Sequence, residues 1–350
     1  MKKLGKYAII IISIIIGLII IAGIIHTMPV QNIKDSFKNT TSTSLLKFIG
    51  ISITMMLLFT WRWHAIITST EKVSFWKLFP YKIVGYGISF ITPIAKLGGE
   101  PLRAMLLQRE GIDFKKGFTT VVIDKLIDLT SSSFLFVLGI IVAISSFALP
   151  KNTYIILIII SIIVLFAIGW FYFRMISSAN IILSIFKFFK LDKIKFLKKI
   201  EKDIVEMDEV LITFYKKHKS NFTKAMIISM VAWILMFLEF KFALEIVGIY
   251  DVSFGGLFII IGMIGATYLI PVPLALGVSE AGEMSVFSLL KLSSAAGFAL
   301  AMIIRIRDFM WTLIGIGFLV LFGINIKQAY DKSVQKNKDL IENNFIKSKK

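Results

Sequence analysis

Pro93-Ile-Ala-Lys-Leu-Gly-Gly-Glu-Pro-Leu-Arg103 and Pro271-Val-Pro-Leu-Ala-Leu-Gly-Val-Ser-Glu-Ala-Gly-Glu283 read as two versions of one interrupted segment. At a constant offset Pro93 pairs with Pro273, Ala95 with Ala275, Glu100 with Glu280 and Gly117 with Gly297. Further along, Phe118 pairs with Phe298, Lys125 with Arg305 and Asp128 with Asp308. Upstream the offset shortens by one residue, and Val73-Ser74-Phe75 matches Val252-Ser253-Phe254. Both copies lie among long apolar runs and carry charges where hydrocarbon tolerates few. Matching halves with polar, Pro/Gly-broken segments in corresponding places point to a binding site of transporter type.

The chain is 57% hydrophobic with a mean hydropathy of +0.82, and Tyr7–Ile25 and Tyr154–Phe173 contain no charged residue. A hydrocarbon core of about 30 Å takes about 20 helical residues. The alternation of a barrel strand is absent, so these runs read as helices. Tyr7–Ile25 is too long for a secretory h-region and reads as a retained first span. The net charge of +18 is not a nucleic-acid signature, because the basic residues collect in loops between apolar runs. Anionic lipid headgroups at a basic cytoplasmic face are the expected counterpart. Cysteine is absent, the three histidines are scattered and no nucleotide or hydrolase motif occurs, so neither cofactor nor metal is expected.

Full spans are expected at Tyr7–Ile25, Leu45–Trp63, Gly117–Leu149, Asn152–Phe173, Phe222–Val247 and Ala295–Ile326. Lys2, Lys3 and Lys6, the basic segment 174–224 and the Lys-rich tail 327–350 place both termini in the cytoplasm. The crossings must then be even in number. Residues 78–107 and 257–290, broken by Pro80, Pro93, Gly98, Gly99, Pro101, Pro271, Pro273 and Gly277, fit if each enters and leaves on one side. The expected fold is thus all-α and polytopic: about six full spans plus two oppositely oriented re-entrant hairpins in an inverted repeat. Repeat 1 covers 1–149 and repeat 2 covers 150–326; eight to ten full crossings is the rival count. Within 174–224 the apolar spacing from Ile182 to Ile200 suits a basic amphipathic helix on the inner leaflet, followed by a more solvated one. Trp61, Trp63, Trp76 and Tyr81 read as interfacial anchors.

The candidate site residues are the charges inside these elements. Gly98 and Gly99 permit a close backbone approach, Pro101 suits a first helical turn, and Glu100 and Arg103 follow at the helix start. The second copy offers a capping Ser279 with Glu280 and Glu283 but no arginine. Lys125/Asp128 and Arg305/Asp308 are i,i+3 pairs on the helix that follows each copy. Only six residues are arginine, and Arg103, Arg305 and Arg307 all lie in these elements. Arginine is the better bidentate ligand for phosphate. Glu239 could face the same cavity, and Glu100, Arg103, Lys125, Asp128, Glu280, Arg305 and Asp308 are expected to converge on one polar cavity near mid-membrane.

Gly98-Gly-Glu-Pro-Leu-Arg103, then Asp124-Lys-Leu-Ile-Asp128, then Pro271-x-Pro-x-x-Leu-Gly-x-x-Glu280, is similar to the lysylphosphatidylglycerol synthase transmembrane region. That flippase-like family includes the N-terminal half of the multiple peptide resistance factor. The chain departs from it with Asp124-Lys125 for Glu-Arg, and with Leu274 and Ala275 where two glycines are common. The resemblance implies translocation of an anionic or aminoacylated phospholipid, or of a polyprenyl-phosphate-linked lipid, in the cell membrane. Arg103, Lys125, Arg305 and Arg307 would meet phosphate, and Glu100 and Glu280 would balance them or meet a cationic headgroup. A role in antimicrobial peptide resistance and a separate lipid synthase as partner are implied too. The alternative is a membrane-embedded lipid transferase, for example a phosphatidylglycerol lysyltransferase. No soluble aminoacyltransferase domain is expected.

Overall fold

The computed structural model describes residues 23, 26, 30–38, 40–92, 98–146, 151–177, 180–188, 201–268, 270 and 272–323. The first span Tyr7–Ile25 apart from Gly23, the tail 327–350, Pro93, Pro271 and all of 189–200 lie outside the described residues. Those that are described form helices and no strand: α1 Val30–Ser36, α2 Ser42–Ile67, α3 Phe75–Ile91, α4 Glu100–Leu107, α5 Phe114–Ser146 and α6 Lys151–Ile176. There follow α7 Ile181–Phe188, α8 Glu201–Lys217, α9 Lys219–Ile246, α10 Phe254–Thr267, α11 Val278–Leu289 and α12 Ser294–Leu321.

Four helices have the length and apolarity to cross a membrane: Ser42–Ile67, Phe114–Val142, Tyr154–Ile176 and Lys219–Ile246. The protein is an integral membrane protein. α12 runs for 28 residues, but any stretch of it long enough to span includes Arg305, Arg307 and Asp308. Such a helix needs partners for its charges, and it lies against α3 and α11. α6 is the opposite case. It carries no charge between Lys151 and Arg174 and exposes Ile156, Ile162, Ile163 and Phe166, as a helix bathed in lipid would.

α2 and α9 form the central antiparallel pair. Thr40 donates to the carbonyl of Ile246 at one end, and Asn221 donates to that of Ala65 at the other. At the Ala65 end, Lys115 at the start of α5 lies 2.6 Å from Asp203 and 2.8 Å from Glu206 of α8. The short turn Gln108–Glu110 after α4 also meets the end of α12, where Arg109 donates to the carbonyl of Phe322 at 2.8 Å.

Both broken segments share local rules. Ser74 and Ser253 precede the first residues of α3 and α10, and Ser253 Oγ accepts from the Gly256 N–H. Gly99 comes so close to α3 that a Cβ there would lie 1.8 Å from the Gly85 carbonyl oxygen. At Gly98 it would lie 2.0 Å from Thr92 Oγ1, so neither position accepts a side chain. In the second copy Leu274 and Ala275 take left-handed φ of 59° and 48°, and Gly277 takes 75°. That conformation costs an ordinary residue about 1–2 kcal/mol. The short helices then pack on the long ones behind them at equivalent glycines. A Cβ on Gly117 would lie 3.1 Å from Leu107, and one on Gly297 would lie 2.9 Å from Phe287.

Candidate functional site

The sequence-derived charges separate into two buried clusters. The first is built around Asp124 of α5, which is 1% exposed. Its Oδ1 accepts from Arg62 Nε at 2.7 Å; its Oδ2 accepts from Lys82 Nζ and from Arg103 Nη2, both at 2.8 Å. Arg103 also donates to Glu100 at 2.9 Å, and its guanidinium lies 4.0 Å from the centre of the Trp63 ring. Arg62 reaches one turn along α5 to Asp128 at 2.6 Å, and Trp233 Nε1 donates to the same carboxylate. Lys125 lies 4.0 Å from Asp128 and keeps 28% of its side chain exposed. Four cations thus surround three carboxylates, a surplus of one positive charge within apolar helices. Among the described residues Arg103 Nε has no hydrogen-bond partner.

Three features of this cluster are absent from the sequence reading. Arg62 sits inside the apolar run of α2, and Lys82 follows Pro80 in α3. Neither belongs to the repeated motif, so only their burial against Asp124 reveals them. Trp63 is no interfacial anchor: it is fully buried, with Nε1 donating to Thr120 and Arg103 on its face. Its place is fixed because Arg103 needs a surface that a weakly hydrated guanidinium can stack upon. Tyr81 is also buried and donates to Glu110, whereas Trp61 and Trp76 are exposed.

The second cluster lies on α9, α11 and α12. Arg305 Nη2 donates to Glu280 Oε2 at 3.0 Å and to Ser279 Oγ at 2.8 Å. Its Nη1 lies 2.6 Å from Glu280 Oε1 but misaligned for hydrogen bonding, so that contact is an ion pair only. Arg305 also donates to the carbonyls of Leu274 and Ala275, which pins the left-handed turn to α12. Ser279 accordingly lies inside the first turn of α11, and Gly277 occupies the cap position in its stead. Arg307 bridges Glu239 at 2.5 Å and Asp308 at 2.7 Å, and Tyr86 and Tyr268 donate to Asp308. Glu283, fully buried, has no partner for either oxygen among the described residues. Four carboxyl groups therefore meet two cations here.

The two clusters sit at different depths. Ser229 of α9 accepts from Arg62 in the first, and Glu239 serves the second, a separation of about 15 Å at the rise of an α-helix. α3 joins them, because Lys82 belongs to the first and Tyr86, one turn on, to the second. Pro101 lies in the first turn of α4, where its missing N–H costs nothing, and Pro273 begins the turn that Arg305 holds.

This arrangement can hold an anion beside the first cluster and a cation or proton beside the second. Among the described residues no set of three histidine or acidic side chains is placed to hold a metal. Comparison with known proteins agrees with a membrane role. A UPF0104 membrane protein of Methanothermobacter thermautotrophicus is 25% identical over 91% of this chain and 96% of its own length. One from Pyrococcus horikoshii is 25% identical over 90% and 96%. No solved structure matches. The lysylphosphatidylglycerol synthase TM region matches residues 10–317, and the chain belongs to that family.

Proposed function

We propose that the protein is a flippase-like translocator of a phosphate-bearing membrane lipid. Substrates of the fitting kind are an anionic or aminoacylated phosphatidylglycerol and a polyprenyl-phosphate-linked lipid. The observation that carries this reading is the cationic surplus about Asp124. Charge buried in hydrocarbon is costly, at least ~2.5–3.5 kcal/mol per residue on insertion scales, and a structural network would be expected to balance itself. Here Lys125 is partly exposed and Arg103 keeps an unused donor. Lys125 could turn to a phosphate while Arg62 keeps Asp128, and Arg103 could add its Nε to one while its two terminal nitrogens keep Glu100 and Asp124. The headgroup would pass from this cluster to the acidic one while the acyl chains remain in lipid.

The inverted arrangement of re-entrant hairpins belongs to the same proposal. Lys77 and Tyr81 at the start of the first hairpin contact Glu110 just after its end, so it leaves where it entered. In the second, a Cβ on Gly256 would touch both Val252 before the hairpin and Leu290 at its end. The first lies towards the Ala65 end of α2, and the second follows directly from the opposite end of α9 at Ile246. With the basic segment 174–224 in the cytoplasm, the first hairpin opens inward and the second outward. The equivalent glycine contacts at Gly117 and Gly297 support two repeats, 1–149 and 150–326.

Purified protein in liposomes containing a labelled anionic phospholipid tests this reading. Redistribution of unmodified lipid between leaflets without an added donor is the expected result. A new lipid species with no redistribution would instead establish the transferase alternative.

A further inference from the structure

The acidic cluster contains one group that its ion pairs leave out. Glu239 and Asp308 share Arg307, and Glu280 is held by Arg305. Glu283, one turn beyond Glu280 on α11, is fully buried with both oxygens unpartnered among the described residues. Val286 and Phe287, one turn further along α11, belong to one apolar core cluster with Ile260 and Ile264 of α10 and Leu300 of α12. An ionised carboxylate buried there without a partner would cost several kcal/mol.

The repeat explains how the group came to be alone. Glu283 occupies the position of Arg103, whereas the position of Asp124 is filled by Ile304. The first copy places an ion pair here, and the second a single carboxyl group. The neighbouring elements supply no substitute: α10 has no charged residue, and its capping Tyr268 donates to Asp308. Arg305, Arg307 and Asp308 of α12 are engaged as described. A metal ion would need several further ligands, and among the described residues no three histidine or acidic side chains are grouped to hold one. A proton needs only the one carboxyl.

We propose that Glu283 is an intramembrane proton-binding site, and that its loading and release couple lipid movement to a proton gradient. The coupling rests on the translocation reading; the proton site does not. In the closed arrangement Glu283 carries the proton. Opening of the α11–α12 contact, tight enough that a Cβ on Gly297 would lie 2.8 Å from the Glu283 carbonyl oxygen, admits water. The carboxyl O–H bond then breaks, the proton passes to water and a carboxylate remains. Reclosure requires a proton to return, and it returns from whichever side is open.

Two measurements test the proposal. Infrared spectra of the reconstituted protein should contain a protonated-carboxyl C=O band that shifts on selective 13C-glutamate labelling and vanishes in Glu283→Gln. The labelling assigns the band to glutamate in the wild-type protein even if the variant does not fold. Absence of any such glutamate band, or its persistence in a folded Glu283→Gln, overturns the site. In proteoliposomes, an imposed gradient of one pH unit should bias the lipid distribution up to tenfold for one proton per cycle. The bias should fall to unity in Glu283→Gln; an unchanged bias overturns the coupling. A wild-type protein that moves no lipid but retains the band refutes the translocation reading and leaves the proton site standing.

Discussion

Asp124→Asn is the sharpest single perturbation of the first cluster. The carboxylate accepts three charge-assisted hydrogen bonds, from Arg62 at 2.7 Å and from Lys82 and Arg103 at 2.8 Å. Asparagine keeps the shape and one acceptor but turns an N–H₂ towards at least one cation. Four cations would then face two carboxylates in a site with little water. Removing one partner of a buried pair costs about 3–5 kcal/mol. Against a total stability of about 5–15 kcal/mol this is a large fraction. Equilibrium unfolding in mixed micelles, followed by tryptophan fluorescence, would report it because Trp63 and Trp233 border the cluster. Adding Lys82→Met removes one stranded cation, so the double variant should recover at least about 1 kcal/mol relative to Asp124→Asn alone. A loss below about 1 kcal/mol, or strictly additive effects, would refute the hub.

A helix contact tests the packing: Gly297→Ala should destabilise because its Cβ would meet the Glu283 carbonyl oxygen at 2.8 Å, whereas Gly50→Ala meets nothing and should gain up to about 1 kcal/mol in the same unfolding measurement. Lys77 and Tyr81 draw the Glu110 carboxyl below the usual glutamate range, against the desolvation that raises it. Because the folded pKa is depressed, this stabilisation is present above the unfolded value and lost as pH falls through the folded one. Unfolding midpoints between neutral and acid pH should therefore drop less in Lys77→Met than in wild type. Single cysteines at Glu110 and Tyr250 can be read cleanly because the chain has none; residue 110 should label only from the cytoplasm and residue 250 only from outside, and the reverse would sink the proposed topology.

The helical class and the broken segments were legible because Pro, Gly and charge interrupt runs that otherwise have nothing polar in them. The matched glycines Gly117 and Gly297 were legible as a sequence correspondence, and each packs its helix on a short one before it, at Leu107 and at Phe287. Arg62 and Lys82 escaped because partners distant in sequence, Asp124 above all, cannot be inferred from the spacing of one helix. The expected single convergence resolves into two clusters, since α12 carries its charges to a different depth from those of α5. Leu274 and Ala275 were legible as departures, but not as residues held left-handed by Arg305.

The central claim is that cations of the broken segments and of the long helices behind them handle a lipid phosphate. Its most direct test is the leaflet exchange rate of a labelled anionic phospholipid in proteoliposomes bearing Arg103→Gln, Lys125→Gln or Arg305→Gln, each shown to be folded by its unfolding midpoint. Arg103→Gln should reduce exchange to the protein-free rate, and Lys125→Gln should slow it at least tenfold while leaving stability nearly unchanged. Wild-type exchange in all three folded variants would contradict the account.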